Sequence, residues 1–406
     1  MLTKHKLREL IDVTRGMSLP GEYYSESGEY IRLTMGNFNY NGGGFKENTS
    51  KTDIYYTGPI REEYILNKGD IITPLTEQAL GLLGTTAMIP ESGKYIQSQD
   101  VALITCKKDK IDHLYCYYLI SSDLVKKQLS AAAQQTKIRH TSPDKIMDCT
   151  VWIPEMGIQQ RIGKTLYEID QKISLNTRMN AELEAMAKQL YDYWFVQFDF
   201  PDENGNPYKS SGGEMVYNST LKREIPAGWG VKQMSDIAQI IAGRDCPKSF
   251  SLEKNELYPI PIYSNGIDNN GLYGYTDNAT SPEKSVTVSA RGTIGCPFLR
   301  LEPFVPIIRL IVATPYDEGA DLYLYEYLRV INIKNTGSVQ PQLPVPEFSL
   351  ITIPYPKDNQ IIKTFSDLSR VWYKVIDKNR KNNEYLKCLR DSLLPMLMNG
   401  QVTVEK

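Results

Sequence analysis

The residues of this chain that could do covalent chemistry do not assemble into a working constellation. Gly157-Ile-Gln-Gln-Arg-Ile-Gly163-Lys164-Thr165 approaches a phosphate-cradling loop, but five residues separate its glycines where that loop's geometry needs four. Asn206-Pro207-Tyr208 lacks the second proline of the Asn-Pro-Pro-Tyr/Phe sequence with which methyltransferases grip a target adenine amino group. No Ser/His/Asp or Cys/His arrangement has supporting sequence around it. Six cysteines (Cys106, Cys116, Cys149, Cys246, Cys296, Cys388) are scattered without a close pair, and the chain has only 3 histidines. A structural zinc site and a disulfide framework are both disfavoured, and the cysteines read as buried thiols in a reducing compartment. The chain is therefore expected to be non-catalytic and to hold no metal.

Composition narrows the class further. The 406 residues suit two or three domains, and 41% hydrophobic with 23% charged residues describes a globular protein. No apolar run reaches the length of a membrane span, and Met-Leu-Thr-Lys-His-Lys lacks the apolar centre of a signal peptide, so a cytoplasmic protein is expected. A net charge of -2 works against non-specific binding to a polyanion, which draws on many Lys and Arg. Any nucleic-acid role must rest on where the charge is placed, or on partner subunits.

The elements that would position functional groups are clearer. Residues 153–200 and 353–400 read as two copies of one segment: an apolar run ending in Ile-Pro, a Gln six residues later (Gln160, Gln360), then a long stretch almost free of Gly and Pro. In the first copy Ile162, Leu166, Ile169, Ile173, Asn176, Asn180, Leu183 and Leu190 alternate by threes and fours, as one seam of a coiled coil does. A shift of 203 lays Ile173 on Ile376, Asn176 on Asn379, Asn180 on Asn383 and Leu183 on Leu386, and Leu190 on Leu393. Each helix should run roughly 36 residues, about 54 Å. Antiparallel pairing would set Asn176 against Asn383, Asn180 against Asn379, Ile173 against Leu386, Leu183 against Ile376 and Leu166 against Leu393. A buried polar layer costs stability and penalises slipped registers. The alternative is that these asparagines face solvent on a broad amphipathic helix.

The duplication extends beyond the helices. Residues 1–152 alternate short β-rich pieces (30–34, 70–73, 86–89, 101–104) with turn formers, followed by a helical face over 113–129. Turn-rich residues 199–224 read as a linker. Met234, Ile237, Gly243 and Pro247 then follow Leu7, Leu10, Gly16 and Pro20 at a constant shift of 227. A strand leading to Gly81-Leu-Leu-Gly84 is matched by one leading to Gly292-Thr-Ile-Gly295, where the backbone can turn sharply or approach a ligand. Polar tracts at 134–140 and 337–342 precede each Ile-Pro strand. Two halves with one plan and different side chains suggest two related sites that read different things. The fold class is α+β: two similar domains (1–152 and 225–352), each followed by a long helix (153–198 and 353–400), the helices forming an antiparallel coiled coil with a pseudo-twofold internal repeat.

The run Trp194-Phe-Val-Gln-Phe-Asp-Phe-Pro-Asp-Glu-Asn-Gly-Asn-Pro-Tyr-Lys-Ser-Ser-Gly-Gly213, followed by Ile225-Pro-Ala-Gly-Trp229, resembles the central region of specificity subunits of type I restriction-modification systems. The order of domain, helix, domain, helix is similar to that family over the whole chain. One departure is Pro395-Met-Leu-Met-Asn-Gly where the first copy has Trp194-Phe-Val-Gln-Phe-Asp, which makes a stop to the second helix natural.

The resemblance implies two target-recognition domains, each reading half of a bipartite site in double-stranded DNA through the major groove, at a spacing set by the helices. It also implies two modification subunits docked on the helices as an adenine-N6 methyltransferase, and restriction subunits for ATP-dependent cleavage. S-adenosylmethionine, ATP and Mg would then be bound by those partners and not by this chain. Base reading requires forked donors and acceptors, Arg to guanine and Asn or Gln to adenine. The candidates are Arg32, Asn37, Asn39, Asn41, Gln134, Gln135, Lys137 and Arg139 in the first domain. In the second they are Arg244, Ser264, Asn265, Asn269, Asn270, Tyr273, Arg291, Ser338, Gln340 and Gln342. The competing expectation is a two-domain interaction scaffold, an orphan or inhibitory relative that does not bind DNA.

Overall fold

The computed structural model describes residues 2–39, 43–77, 81–132, 139–331, 333 and 342–404. The chain divides into two compact units, 1–176 with 381–406, and 177–380. Each unit thus contains one domain of the repeat together with part of each long helix.

In the first unit a four-stranded antiparallel sheet runs in the order Ile11–Arg15, Val101–Cys106, Ile71–Pro74, Ala87–Met88. Its register puts Ile104 opposite both Val13 and Ile71, so β-branched residues stack through the buried layer. Thr3–Lys6 pairs with Thr150–Ile153, and a smaller sheet orders Tyr24–Ser25, Tyr55–Tyr56, Tyr30–Arg32 and Tyr95–Ile96, the last pair parallel. The second unit repeats the plan: Ala238–Ala242, Ile311–Pro315, Ser285–Val288 and Pro297–Arg300 form its four-stranded sheet, and Trp229–Gln233 pairs with Thr352–Pro356. Its smaller sheet orders Leu272–Thr276, Ile260–Tyr263 and Val305–Pro306, again with the last pair parallel.

The repeat heads explain their own conservation of type between the two copies. Leu7–Leu10 and Met234–Ile237 are single helical turns, each closed by an acid reaching back to the residue before the turn: Glu9 accepts from the Lys6 N–H at 3.2 Å, and Asp236 from the Gln233 N–H at 2.8 Å. Gly16 and Gly243 follow where another strand crosses too closely for a side chain; a Cβ would lie 2.3 Å from the Ser98 carbonyl oxygen in one case and 2.7 Å from the Pro306 carbonyl carbon in the other.

The long helices are Met156–Tyr191 and Gln360–Met398, 36 and 39 residues, the first ending in a wider π turn at Asp192–Val196. Within each unit they run antiparallel and bury an asparagine contact. In the first unit Asn176 Nδ2 donates to Asn383 Oδ1 at 2.8 Å, and Asn383 Nδ2 to the Ile173 carbonyl at 3.4 Å. In the second, Asn379 Nδ2 donates to Asn180 Oδ1 at 2.9 Å, and Asn180 Nδ2 to the Ile376 carbonyl at 3.3 Å. The expected register of the asparagines is the observed one, with Asn176, Asn180 and Asn383 buried and Asn379 half-buried. Leu166 with Leu393, and Leu183 with Ile376, fall in the same apolar clusters. Gly163 belongs to no phosphate loop: it lies on the first long helix where that helix meets His113–Ile120, and a Cβ would come within 2.6 Å of the Tyr115 nitrogen.

Four expectations need correction. The helical face at 113–129 is two helices, His113–Ile120 and Asp123–Ala132, because the Ser121 and Ser122 hydroxyls bond back to carbonyls of the preceding turn and end it. Residues 199–224 are a built part of the second unit: Phe200 stacks between Tyr208 and Trp229 at centroid distances of 4.8 and 5.5 Å, Asp199 caps Ser210 at 2.7 Å, and Met215–Asn218 pairs with Arg223–Pro226. The turn formers make tight turns while the aromatics between them bury. The long helices begin later than 153 and 353, because those residues lie in the strands Thr150–Ile153 and Thr352–Pro356, and the second helix runs through Pro395 to Met398. Among the cysteines Cys116 and Cys149 are buried, whereas Cys388 is exposed.

Candidate nucleic-acid interface

In the first unit most described candidates are consumed by the fold. Arg32 is buried on the small sheet, where it stacks over Tyr24 at 3.7 Å, donates to the Asp53 carbonyl at 2.9 and 3.1 Å and pairs with the Asp53 carboxylate at 3.4 Å. Asn37 is buried too; its amide oxygen accepts from the Thr34 N–H at 2.9 Å and its nitrogen donates to the Lys46 carbonyl at 3.3 Å, closing the helical turn Met35–Asn37. Asn39 is half-buried and holds the following loop through backbone bonds with Gly43 and Gly44. Arg139 pairs with Glu77 at 3.2 Å and donates to the Ser130 hydroxyl at 3.0 Å. The side chains of Arg32, Asn37 and Arg139 lack the free edge that a base would need. Asn41, Gln134, Gln135 and Lys137 lie outside the described residues.

Glu77 explains that unit's glycine pair. Its carboxylate accepts from the Gly81, Leu82 and Leu83 N–H groups at 3.1, 2.9 and 3.0 Å, and Gly81 and Gly84 both take left-handed backbone to aim those donors inward. The turn is a small anion cradle filled by the protein's own acid. Donors remain at a neighbouring cleft of about 330 Å³, where Lys51 and Gln99 are exposed beside Asn48 and Ser50.

The second unit is arranged differently. Arg244, Arg291 and Gln342 are exposed, and Arg291 and Gln342 line one cleft of about 380 Å³ with a third cationic residue, Arg309. None of the three arginines makes an ion pair among the described residues, so each fork is free for a ligand. Gly292 and Gly295 take left-handed backbone as their counterparts do, but the turn lies against Leu343, whose N–H donates to the Ala290 carbonyl at 2.9 Å. Other candidates are structural. Asn265 donates to the Ile308 carbonyl and accepts from the Ala290 N–H, both at 2.7 Å, which spends the two ends of its amide. The Ser264 N–H and hydroxyl donate to the Gly271 carbonyl at 2.8 and 3.5 Å. Asn269 and Asn270 form a left-handed turn at φ 48° and 53°, and the Asn270 carbonyl accepts from buried Arg300 at 2.9 Å. Tyr273 is exposed, with Phe250 5.8 Å from its ring. Ser338 and Gln340 lie outside the described residues.

Comparison with known proteins decides what these paired units are. The model of the type I restriction modification DNA specificity domain matches residues 2–185 and 226–384, once over each half. The chain belongs to that family. A Mycoplasma pneumoniae chain whose name, S.MpnORF507P, designates it a type I specificity subunit is 24% identical over 393 residues, 94% of this chain and 95% of its own. The MjaIX specificity subunit of Methanocaldococcus jannaschii is 26% identical over 324 residues, 74% of this chain and 71% of its own. The crystal structure of a type I restriction-modification S subunit from M. genitalium shares the fold, with a TM-score of 0.66 at 17% identity, over 98% of this chain and 96% of that one.

As a type I specificity subunit the chain is the non-catalytic, DNA-recognising member of a complex with modification and restriction subunits, and the reading as an interaction scaffold is not favoured. Among the described residues no His, Cys, Asp or Glu gather in threes as metal ligands would, and no helix is long and apolar enough to cross a membrane. Residue pattern alone does not mark Arg309 of this specificity subunit as a ligand contact. The available signal was a lone arginine interrupting the otherwise apolar run Phe304-Val-Pro-Ile-Ile-Arg-Leu-Ile-Val-Ala313. A charge in such a run either pairs internally or points outward to do something, and Arg309 is exposed.

Proposed function

We propose that each unit of this specificity subunit reads one half of a bipartite site in double-stranded DNA through the major groove. The paired long helices set the spacing between half-sites and dock two modification subunits, which form an adenine-N6 methyltransferase. The carrying observation is the cleft of the second unit, where Arg291, Arg309 and Gln342 converge with their forks unpaired. Arg presents two parallel donors to the N7 and O6 of guanine, and Gln presents a donor and an acceptor to adenine. The duplicated architecture supports two such heads with different side chains, hence a split target whose halves differ. A net charge of -2 means that the modification subunits supply much of the phosphate contact.

S-adenosylmethionine is assigned to the modification subunits, and ATP and Mg to the restriction subunits. The complex works in the cytoplasm, where the chromosome and incoming DNA are both present. Methylation-sensitive sequencing of host DNA tests the reading: the expected result is a two-part adenine-methylated motif with a constant gap, present with this gene and absent without it. A complex that co-purifies with its modification subunits and methylates DNA without sequence preference would refute it.

A further inference from the structure

Between Val305–Pro306 and Ile311–Pro315 in the second unit the chain turns through two consecutive non-glycine residues in left-handed backbone, Ile308 at φ 53° and Arg309 at φ 61°. For a β-branched residue this is a real outlier, and such strain persists only where the surroundings over-determine it. They do so here. The Ile308 N–H donates to the Arg244 carbonyl at 2.8 Å, the Arg309 N–H to the Gly243 carbonyl at 3.0 Å, and the Asn265 amide holds the Ile308 carbonyl at 2.7 Å. The other end of that amide ties in the Ala290–Arg291 turn. The clamp buries neither side chain: Ile308 stays 49% exposed and Arg309 lines the cleft beside Arg291.

The first unit shows that the scaffold does not require this corner. Met17 bridges Ser98 there as Arg244 bridges Ile307 here, each being the residue after the close-approach glycine. By that register Gln99 and Asp100 stand where Ile308 and Arg309 do, and neither has positive φ. The strain is therefore private to the second unit, and it holds an apolar side chain next to a free guanidinium on the outer surface.

We infer that the Ile308–Arg309 corner is a base-reading site: Arg309 takes the N7 and O6 edge of a guanine, and Ile308 covers the C5-methyl of an adjacent thymine. The inference rests on the DNA-reading role proposed above and names the bases that this corner selects. Asn265 acts as a positioning residue, fixing the corner against the Arg291 turn.

The test uses the full subunit assembled with its modification subunits, methylating DNA in a host that lacks its own adenine methylation, with the motif read by sequencing. The wild-type motif is expected to contain a guanine flanked by thymine in one half. Arg309→Ala should relax that guanine by about tenfold or more and leave the other half intact; Arg309→Lys, which keeps the charge and loses the fork, should do the same and covers the case in which the alanine variant folds poorly. Ile308→Gly should hold or raise the melting temperature, because it releases the left-handed strain, while weakening selection at the thymine. Asn265→Ala should relax the same guanine, and combining it with Arg309→Ala should add nothing at that position.

An unchanged motif in Arg309→Ala and Arg309→Lys, relaxation in both halves, or loss of activity with the motif intact would overturn the inference, the last outcome marking Arg309 as a phosphate contact. A wild-type complex with no sequence preference would instead sink the DNA-reading role itself, and this corner's role with it.

Discussion

The two units share one plan, and the second holds inward, partnered arginines of its own in Arg300, Arg329 and Arg370, but Arg32 and Arg139 of the first differ from three exposed arginines of the second. In the first, Arg32 and Arg139 face inward onto Asp53 and Glu77; in the second, Arg244, Arg291 and Arg309 face outward without ion partners. The glycine-pair turns diverge in step. Glu77 fills the first cradle from within, whereas the second unit has no such acid on its turn and carries exposed Arg291 there. A duplicated domain can keep its sheet order, its capped head and its close-approach glycine while the loops between strands are rewritten. Two domains that read different half-sites, as proposed above, would need that freedom.

The helix contacts divide the same way. At positions related by the shift of 203, the first unit has Asp170 and Arg390, an ion pair at 2.8 Å to which the Tyr118 hydroxyl also donates; the second unit has Tyr373 and buried Ala187. The acid in the second unit comes from the domain instead. Glu326 is buried against Tyr373 and Arg329, and burial holds its carboxyl above the usual carboxylate range.

Substitutions in the two units should have unequal consequences. The largest effect is expected from Arg139→Ala, which leaves Glu77 buried without its cation: about 3 kcal/mol lost in chemical denaturation, with the methylated motif unchanged. A shifted motif at unaltered stability would place Arg139 among the base readers and erase the difference between the units. Next in size, Asn383→Ala strands buried Asn176 and Asn379→Ala strands buried Asn180, and each should cost roughly 1 to 3 kcal/mol, since the two contacts are repeats of one another. A large inequality between them would show that the helix seam is not symmetric in energy.

Arg291→Ala should move stability by no more than about 0.5 kcal/mol yet weaken base discrimination in one half-site by about 1 to 3 kcal/mol, measured by competition binding of the assembled complex. Arg244 is exposed but does not line the cleft of Arg291, Arg309 and Gln342, so it is read as a phosphate contact, and Arg244→Ala should weaken binding evenly across sequences and lower the salt dependence by about one unit of slope. The smallest effect is a pH trend. Because the folded state raises the Glu326 carboxyl, ionising it costs stability as pH climbs from the ordinary carboxylate value to the raised one. Glu326→Gln removes that cost, so its melting temperature relative to wild type should rise with pH across this interval. A relative melting temperature that falls with pH would mean that Arg329 outweighs burial.

Much of the architecture was legible in the residue pattern because it rests on local periodicity and on duplication. The alternation of Ile162, Leu166, Ile173, Asn176, Asn180 and Leu183, matched at a constant shift, dictates two helices and the one register that pairs asparagine with asparagine. The site was far less legible. Asn37 and Asn265 have the right functional groups and lie in loops, yet their amides are spent on backbone partners distant in sequence. Arg309 sits in an apolar run that reads as core. The run 199–224 reads as a linker because its Gly, Pro, Asn and Ser content is real, but Phe198 and Phe200 outweigh it once Trp229 is there to receive them.

Residue order alone shows that the chain is built twice, that each copy carries a long helix with a polar layer in its seam, and that its reactive side chains do not fall into a catalytic spacing. Those properties follow from residue type and spacing along one dimension. Which arginines are left without acidic partners emerges in three dimensions. Whether a guanidinium can reach a ligand depends on the acids and carbonyls that folding brings beside it, and Asp53 and Glu77 stand 21 and 62 positions from the arginines they occupy.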